Sequence, residues 1–227
     1  MVGEGSGSGR IPAPLIFKGR TMLSFLLGIL LQSSACASDF LPKTFSADFE
    51  ETVVSVRNGK EIKSFGKLDY KFPRHVRYEI VSADRQSTFV ANPKTCWQYT
   101  PPFVEGEPGE VKVRRSEVIQ QLRFIDVLAK GRESNKTYAV SFEKALMVLN
   151  FTETGKKEFD LDRLELVARS GDATKALTLA DFNELILQRP NAKPVRMKLL
   201  RFSPGVELSA EKFVFEIPKN TKVDKEG

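Results

Sequence analysis

A single imidazole is available to this 227-residue chain, that of His75, and it lies in "YKFPRHVRYEI" between Arg74 and Arg77. A Ser-His-Asp triad would need His75 as its base, and a metal site built from several histidines is out of reach. In that stretch Val76, Tyr78 and Ile80 alternate with His75, Arg77 and Glu79, so the residues form a strand with one apolar and one charged face. The imidazole falls on the charged face, beside Arg74 and Arg77, and it reads as a surface passenger. Cys96, in the strand-like run "TCWQY", reads as a buried structural thiol. Asp160-Leu161-Asp162 lacks the further oxygen ligands and the glycine of a calcium loop, so it reads as a solvated strand face. Asn135-Lys-Thr and Asn150-Phe-Thr fit a glycosylation pattern that is common by chance. There is no P-loop, no GxGxxG and no GxSxG. The reading is a protein that is not an enzyme, with no metal and no cofactor. A net charge of +6 could attract an acidic partner, but the basic residues are scattered, which argues against nucleic acid.

The N-terminus reads as a targeting segment. Arg10, Lys18 and Arg20 precede the apolar run "MLSFLLGILL" from Met22 to Leu31, which is too short to span a bilayer and the right length for the core of a secretory signal. Ala35-Cys36-Ala37 supplies the small residues of a cleavage site. Residues 1–37 are therefore expected to be removed, leaving 38–227 as one exported domain. Cleavage takes away Arg10, Lys18, Arg20 and Glu4, so the net charge falls from +6 to +4. It also leaves Cys96 without an internal disulfide partner, and stability must come from the core. The competing reading is lipidation at Cys36, which Ser33 disfavours because an aliphatic residue is wanted there.

The elements that follow are mostly strands. Asn58-Gly59 between two alternating runs predicts a hairpin. Strands are expected at 75–82, "QSTFVAN", "TCWQY", "VKVRR", "YAVSFEKALMVLNF", "FDLDRLELVA", near 175–188, "VRMKLLRF" and "KFVFEIP", with "ETGKK" as a turn. One helix interrupts them over 116–130, carrying Val118, Leu122, Ile125 and Leu128 on one stripe, with Ser116 as N-cap and Gly131 as stop. The fold class is mainly β (α+β), one large curved antiparallel sheet with a helical insertion. Its apolar positions alternate: Phe49 and Leu68 in the first hairpin, then Val76, Tyr78, Ile80 and Phe89, then Trp97 and Tyr99. Val140, Phe142, Val148, Leu164, Leu166, Phe213 and Phe215 continue the pattern. One helix cannot cover so much surface. The sheet either closes on itself or stays open over an apolar cavity, and the pattern alone leaves both possible.

"GKLDYKFPRHVRYEIVS…STFVANPKTCWQY" resembles LolA, the periplasmic carrier of outer-membrane lipoproteins. The motif residues are Gly66, Leu68, Pro73, the triplet Arg77-Tyr78-Glu79, and Trp97 with Tyr99. Phe45, Ala47 and Phe49 resemble the family's opening strand, and "AEKFVFEIPKNTKVD" its closing one. The resemblance spans nearly the whole of 38–227. It implies an unclosed β-barrel with a helical lid over a lipid cavity. The cavity would be lined by Phe49, Leu68, Val76, Tyr78, Ile80, Phe89, Trp97, Tyr99, Val148, Leu164, Leu166, Phe213 and Phe215, with Val118, Leu122, Ile125 and Leu128 in the lid. It further implies a soluble, monomeric periplasmic carrier of outer-membrane lipoproteins, loaded by a LolCDE-like inner-membrane ABC transporter and unloaded to a LolB-like outer-membrane receptor, with no cofactor. Three departures stand out. "SDFLPKTF" leaves no room for a helix before the first strand, Phe72 replaces an arginine that helps hold the family's lid shut, and Asn92-Pro93-Lys94 replaces an Asp-Gly turn. The alternatives are a LolB-like membrane-anchored receptor, which would need lipid on Cys36 and an exposed apolar loop such as Phe103-Val104, and a closed-barrel interaction domain.

Overall fold

The structure is a computed structural model and describes residues 39–55, 58–82, 86–129 and 131–225. The expected signal segment, its cleavage site and Cys36 lie outside the described residues.

Alternation of apolar and polar residues drives the first half. β1 (Thr44–Val54) and β2 (Glu61–Lys71) form a hairpin at Asn58-Gly59, where Gly59 takes a φ of 68° and Asn58 Oδ1 accepts from Lys60 N at 3.1 Å. β3 (His75–Val81), β4 (Gln86–Ala91), β5 (Thr95–Thr100) and β6 (Gly109–Arg115) continue the meander. After α1 (Gln120–Leu128) come β7 (Tyr138–Glu143), β8 (Leu146–Phe151), α2 (Glu153–Phe159), β9 (Arg163–Ala168), β10 (Phe182–Gln188), β11 (Val195–Pro204) and β12 (Thr221–Lys225). The strands make one sheet in the order β12-β6-β5-β4-β3-β2-β1-β11-β10-β9-β8-β7. Its two ends do not pair with each other, so the expected unclosed, mainly β sheet is what forms. One pairing departs from the meander: β12 runs parallel to β6. β11 sits beside β1, so residues 205–220 must cross β1 to β6 to reach that edge, forming a strap over one face.

Three local expectations are corrected. "ETGKK" is not a turn but the start of α2, because Thr152 Oγ caps it by accepting from Gly155 N at 3.2 Å. The helix over 116–130 is split into a 3-10 turn at Ser116–Val118 and α1, with Ile119 extended between them. Ser116 therefore caps nothing, and its hydroxyl donates instead to the Asn92 carbonyl. "KFVFEIP" is not a strand, because it lies in the strap, where Ala210–Phe213 make a 3-10 turn. Gly131, φ 89°, does end the helical segment, its N–H donating to Leu128 O at 3.0 Å.

Open sheet edges invite foreign strands, and the β7 edge is partly shielded. Asn135 accepts from Thr137 N and Tyr138 N, and Ser134 Oγ accepts from Val140 N at 2.8 Å. Just before β1, Phe40 and Leu41 are buried, Phe40 edge-on to Phe182 at 6.0 Å. No helix among the described residues is long and apolar enough to cross a membrane.

Candidate functional site: an apolar sheet face under a helical lid

Strand register brings the apolar residues of β1 to β4 onto one face, here called inner. Phe45, Ala47 and Phe49 stand opposite Tyr70, Leu68 and Gly66, which stand opposite Val76, Tyr78 and Ile80. Phe89 and Ala91 follow on β4. On the far side of β1, Leu199, Leu166, Leu164, Met147 and Leu149 belong to the same core. Phe49 and Tyr78 stack with ring centroids 5.1 Å apart, and the ring of Phe49 fills the space above Gly66. Glu51 occupies the same phase of β1, is buried, and accepts from Tyr78 Oη at 3.1 Å. Its place in the phase was visible as the next alternate residue after Phe49, but a carboxylate does not announce itself as a face residue.

α1 covers part of this face. Leu122 and Leu128 are buried and Ile125 is half-buried against the core, whereas Val118 is 57% exposed, because the extended Ile119 takes it out of helical phase. Phe124 of α1 meets Phe151 and Phe159 at 5.9 and 5.7 Å, joining α1 to α2 and β8. Tyr138 Oη donates toward Val127 O and Gly131 O at 3.3 and 3.1 Å. Arg123 pairs with Glu158, and Arg74 Nε lies 2.7 Å from Asp126 Oδ2. Phe72 is exposed. The cation that ties α1 to the β2–β3 turn is therefore Arg74, on the other side of Pro73.

Among the residues expected to line a cavity, Phe49, Leu68, Val76, Tyr78, Ile80, Phe89, Leu164 and Leu166 share the inner face. Phe49, Val76, Ile80, Leu164 and Leu166 are fully enclosed, while Leu68, Tyr78 and Phe89 are half-buried. The others are elsewhere. Trp97 and Tyr99 point to the outer face, because Ala91 pairs with Cys96 and Phe89 with Gln98, which puts Cys96 and Gln98 inward. Phe213 and Phe215 are on the strap, against His75 and Tyr99 at 5.2 Å each. Val148 is out of phase with the inward Met147 and Leu149. Val140 has the inner phase, and Phe142, at the sheet's rim, lies under Arg132 at 4.9 Å. Arg77 and Glu79 pair at 2.7 Å on the outer face, and Pro73 is in the β2–β3 turn.

The strap also corrects the reading of His75. The residue is on the face expected but is half-buried beneath Phe213, and its Nδ1 is buried without a hydrogen-bond partner. Asp69 beside it is 2% exposed, accepts from the Ser46 hydroxyl and pairs with Lys212 Nζ of the strap at 2.8 Å. Asp160 is not part of a strand face but the left-handed cap of α2, and Leu161 is buried.

An opening stands at each end of α1. One, of about 260 Å³, is lined by Phe89, Cys96, Gln98, Lys112, Arg114 and Ile119. The other, of about 140 Å³, lies between Leu41, Tyr70, Phe72 and Ala129. No group of three metal-ligating side chains occurs among the described residues. Among the described residues the face offers apolar contact and shape.

Burial, with a further contribution from the Asp126 carboxylate, pushes the Tyr70 phenol up to about 12. Burial raises the Tyr138 phenol as well. In the unfolded chain both ionise near 10, so above that pH the folded state holds protons that the unfolded state has released. Stability is accordingly expected to be intact below about pH 10 and to fall as pH rises toward 12, by up to about 1.4 kcal/mol per pH unit for Tyr70, with Tyr138 acting in the same direction. Absorbance titration at alkaline pH, followed alongside urea unfolding, checks this: two of the tyrosines should titrate late and together with unfolding.

No family model and no curated protein matches the chain. Among the solved structures that are distantly similar are the following three. A LolA superfamily protein from Nitrosomonas europaea is 8% identical, with a TM-score of 0.42 over 79% of this chain and 94% of that one. A DUF1329 family protein from Desulfovibrio piger is 13% identical, with a TM-score of 0.40 over 85% and 96%. A domain named for outer membrane lipoprotein sorting, from Vibrio parahaemolyticus, is 8% identical, with a TM-score of 0.36 over 75% and 88%.

Proposed function

We propose that this protein is a periplasmic carrier that shelters the acyl chains of outer-membrane lipoproteins on the inner face of its sheet. The observation that carries the reading is the half-buried row Leu68, Tyr78 and Phe89 on an apolar sheet face, beside a short helix with an opening at each end. The physics of the task suits such a site. Each buried methylene is worth about 0.8 kcal/mol, so three long chains oppose transit through water by tens of kcal/mol. A carrier must shield them and still release them, and a deformable lid serves this better than a tight pocket. Loading would come from a LolCDE-like transporter and unloading go to a LolB-like receptor, with the carrier itself needing no cofactor and doing no catalysis.

Calorimetric titration with a triacylated peptide and with the same peptide unacylated tests the reading. Saturable binding of the acylated form alone is expected, and equal behaviour of the two peptides would refute it. The Arg74–Asp126 pair is the natural catch on the lid. Both side chains are about one-third exposed, so Arg74→Ala is expected to cost less than about 1 kcal/mol of stability. Loosening the lid by that amount should raise the rate of acyl-ligand uptake about two- to five-fold, read by stopped-flow fluorescence with an apolar dye.

A second reading has one observation in its favour. Phe103, in the β5–β6 loop, is 90% exposed beside an exposed Val104, as a receptor that inserts cargo into a membrane would need. Mass spectrometry of the mature N-terminus separates the two readings: a chain starting at Ser38 fits the carrier, and a diacylated Cys36 fits the receptor.

A further inference from the structure

We propose that the opening at the Ile119 end of the lid holds the carboxylate of a free fatty acid, with its alkyl tail running along the inner face. The inference rests on the lipid-binding reading and adds a second ligand class to one rim of the same face. The acyl groups of a lipoprotein are ester- or amide-linked and carry no charge, so they do not account for cations at the mouth of an apolar cleft. Yet this cleft has two. Lys112 and Arg114, two residues apart on β6, point to the same side as Gln98 and Cys96, their partners on β5. Phe89 and Ile119 supply the apolar wall. Two neighbouring carboxylates, Glu110 and Asp224, do not line the cleft. Asp224 lies 3.3 Å from Arg114 and fixes that guanidinium in place. Glu110 is 3.9 Å from Lys112, the outer limit of pairing, so the three-donor ammonium keeps capacity for another anion. A space of about 260 Å³ admits the head and first part of one chain rather than a triacyl group. A guanidinium held at the rim and an ammonium with capacity to spare, set against an apolar wall, select a single-chain anionic amphiphile.

The test uses dodecanoate and dodecyltrimethylammonium, which share a tail and differ in the sign of the head, each titrated below its micelle threshold into the full chain. Dodecanoate is expected to bind about tenfold more tightly, with the preference weakening as salt is raised. Lys112→Glu, at an exposed position, should fold normally and abolish that preference. Equal affinities for the two amphiphiles, or an undiminished preference in Lys112→Glu, would overturn the inference. So would a lysophosphatidylglycerol that outcompetes dodecanoate at equal concentration, since the site would then belong to phospholipid head groups. A triacylated peptide titrated in parallel separates the two levels of the argument. If the peptide binds and dodecanoate shows no preference, the anionic subsite is wrong and the carrier reading stands. If neither binds, both are wrong.

Discussion

Gly66→Ala is expected to destabilise the protein by about 3 kcal/mol or more, at or beyond the top of the usual range for overpacking. A methyl group at residue 66 would sit 2.2 Å from Phe49 Cζ and 2.4 Å from the Glu79 carbonyl oxygen. The ring cannot retreat, because it is stacked on Tyr78 and enclosed in the core. The carbonyl cannot retreat without distorting the β2–β3 pairing, in which Gly66 faces Ile80 and Lys67 faces Glu79. Both obstacles belong to the floor of the proposed lipid site. Urea unfolding should show a lowered midpoint, and near-ultraviolet circular dichroism a changed Tyr78 environment. A loss below about 0.5 kcal/mol, as for an ordinary surface change, would mean that the floor is looser than described.

Lys212→Ala is expected to cost about 3 kcal/mol, and more than Asp69→Ala. The asymmetry follows from burial. Asp69 is enclosed, while the Lys212 side chain is about one-third exposed. Removing the lysine strands a carboxylate in the protein with the Ser46 hydroxyl as its remaining donor partner here, near the low end of the cost of breaking a buried pair. Removing the aspartate strands an ammonium that can turn toward water. The same change should loosen the strap, whose other fastenings include Arg77 to Lys212 O at 3.3 Å, Lys71 to Leu208 O at 2.9 Å and the seating of Phe213 on His75. Hydrogen exchange at residues 206–216 should accelerate in Lys212→Ala while that of β8 and β9 stays unchanged. An equal or larger loss in Asp69→Ala would contradict this account of the pair.

The parts of the fold legible in the sequence are those set by local alternation. β1 has one apolar face, so Phe45, Ala47 and Phe49 are assigned to the inner side by period alone, and β3 is assigned the same way through Val76, Tyr78 and Ile80. β5 is not so readable. Cys96 is buried inward and Trp97 faces outward beneath the region the strap crosses, so both faces are apolar and the phase is ambiguous. Phe213 and Phe215 alternate like a strand but serve as anchors for a crossing segment, because their partners are 138 and 116 residues away, at His75 and Tyr99. No local pattern carries a contact of that range. The lid is intermediate. Leu122, Ile125 and Leu128 keep helical spacing, and the break at Ile119 has no proline or glycine to signal it. Arg74 could not be read as the lid's catch either, since its partner Asp126 is 52 residues on and only the folded β2–β3 turn brings them together.

The central claim is that acyl chains lie on the inner face, and photocrosslinking tests it most directly. A triacylated peptide carrying a diazirine near the end of one acyl chain is bound, irradiated, and its adducts are mapped by peptide mass spectrometry. The account predicts adducts on Tyr78, Phe89 and Ile119, the half-buried residues of the inner face and its rim. They should be lost when Phe89→Glu puts a charge in the path. Adducts concentrated instead on Trp97 or Tyr99 of the outer face, or on Phe215 of the strap above them, would contradict it.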